Sequence, residues 1–304
     1  MSWLGIDIGG TKIDIVLCDD ELQVLDALQV SSDAGLGGDR MLDNAITAAH
    51  RLAERTQPTQ SAVRGVGVAA AGVIDPATGE VGLASSTFPR WSGRSLATEL
   101  GARFRAPVTV DNDANAFLFG EALAGAATGH PDVLAIAVGT GVGGAIMLRG
   151  EIWRGARGMA GEIGHTPGHG DEICTCGAVG HLETIAAGPS IVRRYTARSG
   201  ERHGVAEIAR LAAAGDVVAR GVLDDAGAAI GRAVGMAAVL LDCPVVVLGG
   251  GVMRSWALME DACAAALRAS TLGGGVGITV RLGELGPRAT ALGGAALARK
   301  AGRR

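Results

Sequence analysis

Two short segments of the chain share one pattern, and together they limit its fold more than any other feature. Residues 4–17 read Leu4-Gly5-Ile6-Asp7-Ile8-Gly9-Gly10-Thr11-Lys12-Ile13-Asp14-Ile15-Val16-Leu17, and residues 134–148 read Leu134-Ala135-Ile136-Ala137-Val138-Gly139-Thr140-Gly141-Val142-Gly143-Gly144-Ala145-Ile146-Met147-Leu148. Each reads as a strand that breaks at clustered glycines and resumes as a second strand. Glycine turns let backbone N–H groups approach phosphate oxygens with no Cβ in the way. A hairpin of this kind used twice implies two similar half-domains facing each other across a cleft, which is what phosphoryl transfer needs.

The intervening sequence supports open α/β sheets. The first half predicts a third strand over 22–30 and a helix over 39–55, where Met41, Leu42, Ala45, Ile46, Ala49 and Leu52 recur at helical spacing. It also predicts strands over 63–71 and 108–110 and helices over 96–100 and 114–124. The second half predicts strands over 133–138 and 145–148, a polar Gly- and His-rich loop over 153–180 and a helical block over 182–238. A strand over 244–248, a helix over 261–270, a strand over 278–282 and an Ala-rich helix over 289–300 complete it. A length of 304 residues fits about two domains. The expected division is an N-terminal α/β domain over 1–115, joined by the C-terminal helix 289–304, and a larger C-terminal α/β domain over 116–288.

Composition excludes several classes. The formal net charge of −4 disfavours a nucleic-acid partner. The longest uncharged run, 133–148, is interrupted by four glycines and is too short to span a membrane. The N-terminus enters strand-like sequence with no charged-then-apolar leader. Five cysteines, an odd number without a leader, argue for a cytoplasmic protein whose thiols are free or bound to metal.

The first hairpin, Asp7-x-Gly9-Gly10-Thr11-Lys12, is not a Walker loop, which needs four residues between its first Gly and Gly-Lys and then a helix. Thr11 adds a hydroxyl and Lys12 a charge, while Asp7 is placed to hold hydrated Mg²⁺. The plainer reading is an ordinary turn with a surface lysine. Gly139-Thr140-Gly141-Val142-Gly143-Gly144 matches the dinucleotide fingerprint, but that fingerprint must open a helix, and here a strand follows. A third strand-to-glycine junction, Gly249-Gly250-Gly251, would leave room for a flat ring such as adenine against bare backbone.

Asp111-Asn112-Asp113-Ala114-Asn115 sits where a strand ends and a helix begins. One aspartate is accounted for as an N-cap, but the cluster exceeds capping needs, and a carboxylate there can take a proton from an attacking hydroxyl. Between residues 165 and 181 lie three of the six histidines and two of the five cysteines. His165, Cys174, Cys176 and His181 offer four donors suited to tetrahedral zinc, with His169 as a spare. A zinc so enclosed is structural and would fix Glu162 and Glu183, a carboxylate pair suited to sugar hydroxyls.

Taken together, the segment 7–12, Asn112-Asp113-Ala114-Asn115-Ala116, the segment 139–144, Ala160-Gly161-Glu162-Ile163-Gly164-His165 and the block 174–183 resemble the ROK family (repressors, open reading frames and sugar kinases) over nearly the whole chain. The resemblance implies an actin-like, ribonuclease H-like duplicated ATPase fold, with two α/β domains around a cleft. It implies ATP- and Mg²⁺-dependent phosphorylation of a hexose or hexosamine, usually at the 6-hydroxyl, and a homodimer or homotetramer as the assembly; whether polyphosphate can replace ATP is left open by the sequence. Asp113 would be the base. Gly72, Asn112, Glu162, His165 and Glu183 would meet the sugar. Asp7, Gly9, Gly10, Thr11, Lys12, Gly139, Thr140 and Gly141 would hold phosphate and Mg²⁺, and Gly249, Gly250 and Gly251 would lie near adenosine. His181 stands where the family's third cysteine ligand falls. A second departure is Ser86-Thr87-Phe88-Pro89, where many family kinases carry Asn-Leu, so substrate identity is open between glucose, N-acetylmannosamine and N-acetylglucosamine. A sugar-sensing regulator is the other branch of the family, but only six residues precede Asp7, too few for its DNA-binding module. A dehydrogenase is the remaining alternative, on the fingerprint alone.

Overall fold

A computed structural model describes residues 2–56, 63–84 and 88–303. The first hairpin consists of β1 (Ser2–Ile8) and β2 (Lys12–Cys18), paired antiparallel. The strand β3 (Val24–Ser31) pairs with β2. It starts two residues later than expected because Leu22 adopts φ 64° in the preceding turn. Helix α1 (Gly38–Thr56) buries Met41, Leu42, Ala45, Ala49 and Leu52, the stripe its periodicity predicts. The strand β4 (Val63–Ala70) leads to a short ribbon of β5 (Val73–Ile74) and β6 (Val81–Leu83). Helix α2 (Leu96–Phe104) and strand β7 (Val108–Asn112) follow. β7 runs two residues beyond the expected 108–110 because β4 continues beside it, pairing Ala69 with Asp111 and Ala70 with Asn112. The sheet order is β3-β2-β1-β4-β7.

Helix α3 (Asp113–Ala124) carries the chain to a second sheet of β8 (Val133–Val138), β9 (Val142–Leu148) and β10 (Glu151–Ile152). β9 begins at Val142, three residues before the expected start, because its glycines stay paired with β8. Helices α4 (Glu183–Ala186), α5 (Gly188–Ser199), α6 (Val205–Ala213) and α7 (Val217–Leu241) form the helical block. Then come β11 (Val245–Gly249), α8 (Glu260–Ser270), β12 (Thr279–Leu282) and α9 (Ala289–Gly302). The order is β10-β9-β8-β11-β12.

Both sheets use the same pairing scheme. The first strand of each hairpin is central, antiparallel to its hairpin partner and parallel to the strand on its other side. Each sheet has its own apolar core, one around α1 and one around α5 to α8. A third cluster joins them through Ala69, Phe117, Ala135, Val247 and Ala296, so α3 and α9 lie between the sheets. Their crossing is nearly side-chain-free: a Cβ on Gly293 would lie 1.8 Å from the Ala116 carbonyl oxygen, and one on Gly120 would lie 2.6 Å from that of Ala289. Beside the crossing, the fully buried Glu121 carboxylate accepts N–H groups from Ala126 at 2.8 Å and from Glu284 and Leu285 at 3.0 Å each. It thereby ties the exit of α3 to the segment leading into α9. All five cysteines are free thiols. No helix among the described residues is long and apolar enough to cross a membrane.

Candidate active site

In the first sheet Ile8, Ala70 and Asn112 stand in register, so the first glycine turn, Gly72 and Asp113 all lie just beyond one carboxyl edge. Open α/β sheets bind ligands at such edges. The turn closes through the Gly9 N–H donating to the Lys12 carbonyl at 3.1 Å, leaving Gly10, Thr11 and Lys12 exposed. Lys12 Nζ lies 2.7 Å from Asp14, a residue that the sequence motifs do not single out. Asp14 also accepts from Gln29 Nε2 at 2.6 Å and pairs across the hairpin with Asp7. Cross-strand partners share a face, so two carboxylates and one ammonium stand together. Burial first, then Asp113 and Asp14, raise the Asp7 carboxyl well above the usual range, with Lys12 opposing.

The helix cap at the β7–α3 junction is Asn112 rather than an aspartate. Its side-chain oxygen accepts from Ala114 N–H at 2.9 Å and Asn115 N–H at 3.4 Å, and its Nδ2 donates to the Gly72 carbonyl at 3.0 Å. An amide supplies both the acceptor that the helix end needs and a donor that a carboxylate lacks. Gly72 takes φ 105°, a conformation open to glycine. Asp113 accepts from Ala114 N–H at 2.8 Å. Burial pushes its carboxyl up to about 6, against the N–H groups of Ala114 and Asp113 and the Asn112 side chain. Asp111 turns inward to an ion pair with Arg154, a second residue outside the motifs.

The second hairpin is held from the helical side. Gly188 N–H donates to the Gly139 carbonyl at 2.8 Å, and Val142 N–H donates to Glu183 Oε2 at 2.9 Å. A Cβ on Gly141 would meet that same carboxylate oxygen at 2.7 Å. A Cβ on Gly143 would lie 3.4 Å from that of Ala114 in the first turn of α3, so the hairpin runs beside the start of the helix that carries Asp113. Thr140 is exposed. The hairpin runs into β9 and not into a helix, so the dinucleotide fingerprint lacks its structural context. A Cβ on Gly249 would strike the Phe117 ring at 2.3 Å and one on Gly250 the Val138 carbonyl at 2.3 Å, so only the Cβ side of Gly251 is open.

A 3₁₀ turn, Ile163–His165, presents Glu162 and His165. His165 Nε2 lies 3.9 Å from Glu162, while its Nδ1 lies 3.3 Å from His181 Nδ1 and 3.7 Å from Cys174 Sγ. Cys176 Sγ is 3.3 Å from His181 Nδ1. The four donor atoms all fall within 4.8 Å of one another. Tetrahedral zinc with ordinary Zn–N and Zn–S bonds needs donor separations of about 3.3–3.8 Å, so the donor set fits the ion in kind, and the three separations given above fit it in spacing. His169 stays outside, buried with Nδ1 unpartnered and its backbone N–H on the Gly180 carbonyl. Glu183 joins this loop to the second hairpin: Thr175 Oγ1 donates to its Oε1 at 2.9 Å. Burial raises the Glu162 carboxyl, with His165 opposing and Asp113 and Glu183 adding to the rise. Asp7, Asp113, Glu162 and Glu183 thus form one electrostatic group contributed by both halves. Ser86 and Thr87 lie outside the described residues.

The chain matches the ROK family over residues 3–301. It is 31% identical to a glucokinase of Halalkalibacterium halodurans over 306 residues, which covers 91% of this chain and 92% of that protein. A ROK hexokinase from Thermus thermophilus superposes with a TM-score of 0.83 at 31% identity, covering 100% of this chain and 99% of the other. A ROK family glucokinase from Streptomyces griseus, solved with glucose and AMPPNP, superposes at 0.85 with 30% identity, covering 99% and 100%. The two-sheet fold around a cleft is the bilobal α/β architecture related to actin and hexokinase. The chain belongs to the ROK family, where it is related to glucokinases and other sugar kinases.

Proposed function

We propose that this ROK-family kinase moves the γ-phosphoryl group of ATP to the 6-hydroxyl of a hexose, with glucose as the first candidate and Asp113 as the base. The sugar oxygen attacks the γ-phosphorus, its proton passes to the Asp113 carboxylate, and the bond from the γ-phosphorus to the β-phosphate oxygen breaks to release ADP. A base held near 6 is still mostly ionised at neutral pH and takes a proton more readily than an ordinary aspartate. Backbone N–H groups of the two hairpins, with Thr11, Lys12 and Thr140, would receive the phosphates. Asp7 would hold Mg²⁺, which supplies neutralising charge at the transferring group. Asn112, Glu162, His165 and Glu183 would accept or donate to sugar hydroxyls beside Gly72, and Gly251 would border adenosine. His165, Cys174, Cys176 and His181 would bind structural zinc, leaving His165 Nε2 free to face the sugar.

What most supports the reading is the company Asp113 keeps: Asp7 and Glu162 both feel its charge, and it sits beside the second hairpin. Glucose comes first because a full-length relative is a glucokinase and a solved relative holds glucose with an ATP analogue. The test is ADP release across a panel of glucose, mannose, N-acetylmannosamine and N-acetylglucosamine. Turnover on glucose with Asp113→Asn inactive is the expected result. Preference for an N-acylhexosamine would move the substrate assignment, and full activity of Asp113→Asn would remove the base.

A further inference from the structure

Arg154 follows β10 at the edge of the second sheet, yet its guanidinium reaches the edge of the first. Nε donates to Asp111 Oδ2 at 2.9 Å, Nη2 donates to the same oxygen, and Nη1 donates to the Ile152 carbonyl at 3.3 Å. The other Asp111 oxygen accepts from Asn115 Nδ2 at 2.8 Å and from Asn112 N–H at 2.9 Å. Asp111 is 4% exposed. A carboxylate this buried requires a paired charge, and among the described residues Arg154 is its only ion-pair partner.

The position of Asp111 gives this pair a role beyond packing. It stands two residues before Asp113 and, through Asn115, grips the helix two residues after it. The backbone that presents the base is therefore fastened on both sides to one carboxylate, and that carboxylate is fastened to the opposite half of the molecule. The same segment runs on from Arg154 to Glu162 and His165, the turn that would meet the sugar. One ion pair thus sets the base against the substrate-bearing turn. We propose that Arg154 is a positioning residue for phosphoryl transfer, acting through Asp111 to hold Asp113 in line with the sugar hydroxyl from across the cleft.

This rests on the kinase reading above, and the test separates the two. Arg154→Met, Arg154→Lys and the double variant Asp111→Asn/Arg154→Met are compared with wild type for kcat, sugar KM and melting temperature. Arg154→Met should lose about a hundredfold in kcat, the scale of an ångström of misalignment, with sugar KM within about threefold. The double variant removes the charge together with its partner, so it should regain melting temperature without regaining kcat. Arg154→Lys keeps the charge without the two-pronged contact and should recover stability but only part of kcat. If kcat recovers in step with melting temperature, Arg154 is structural and the proposal fails; a KM change alone also overturns it. A crystal structure of the double variant provides a readout that needs no turnover. Displacement of the Asp113 carboxyl from the first hairpin by about 1 Å is expected, and an unmoved Asp113 refutes the proposal even if wild type phosphorylates none of the sugars tried.

Discussion

Acidifying the assay from pH 7 to pH 5 tests both the chemistry and the physics of Asp113. With its carboxyl at about 6, the ionised fraction falls from about nine-tenths at pH 7 to about one-tenth at pH 5, so kcat/KM should fall about tenfold. An aspartate at its ordinary value would stay more than about nine-tenths ionised at pH 5 and lose almost nothing. Asp7 is displaced in the same direction, so any part it plays deepens the fall. The measurement is direct quantification of ADP at saturating MgATP with sugar varied. The same displacement predicts a stability effect of definite sign. Asp113 is raised in the folded state by burial, so the protonated form is favoured there. That stability is complete below about pH 4 and is lost as the pH climbs through about 6. A rise of about two pH units, at about 1.4 kcal/mol for each, sets a ceiling of about 3 kcal/mol. Asp113→Asn carries no charge to bury, so at pH 7.5 it should melt several degrees above wild type while turning over little or no sugar. A flat kcat/KM between pH 7 and 5, or an Asp113→Asn protein that melts no higher than wild type at pH 7.5, would refute the role given to burial.

Three further outcomes follow from the geometry. Glu121→Ala leaves three N–H groups without their acceptor, the one on Ala126 buried, and should cost about 1–3 kcal/mol in denaturant unfolding; a loss well under about 1 kcal/mol would show that water takes over those donors. Removing metal with a strong chelator should lower the melting temperature, and Cys176→Ser should copy that loss without chelator while His181→Cys retains metal by elemental analysis. A metal-free protein with an unchanged melting curve would count against a structural ion. Gly141→Ala forces the Glu183 carboxylate away from the hairpin and should weaken both AMPPNP and glucose binding by about tenfold, read by calorimetry; an unchanged glucose affinity would take Glu183 out of the sugar site.

Much of this architecture is readable in the sequence because it depends on periodicity and on backbone-exposing turns. The α1 stripe and both hairpins follow from residue spacing, and the His/Cys cluster follows from donor chemistry confined to a short stretch. Strand ends are less legible: β7 and β9 extend beyond their expected limits because a neighbouring strand continues to offer hydrogen bonds, which no local pattern reveals. Asp14, Arg154 and Glu121 belong to no motif for a similar reason. Each is an ordinary charged residue in sequence, and its role comes from partners brought near by the fold: Asp14 meets Asp7 across a turn, Arg154 meets Asp111 from 43 positions away, and Glu121 meets N–H groups more than 160 positions downstream. Sequence also points to the wrong cap at the start of α3, because Asp and Asn rank alike at that position; only the Gly72 carbonyl, which needs a donor, separates them.

The contact between α3 and α9 has a mechanical corollary. Where Gly120 and Gly293 meet, main chain bears on main chain, so a small rotation there slides smooth surfaces past each other and demands no rotamer change. Resistance to such a swing then comes from elsewhere: from the Glu121 clasp at one end and from whatever fills the mouth between the halves at the other. A methyl group added at position 293 would wedge the axle apart by a fraction of its own width, and the lever arms of the two sheets would magnify that gap at the distant rim where Asp113 and Glu162 must meet.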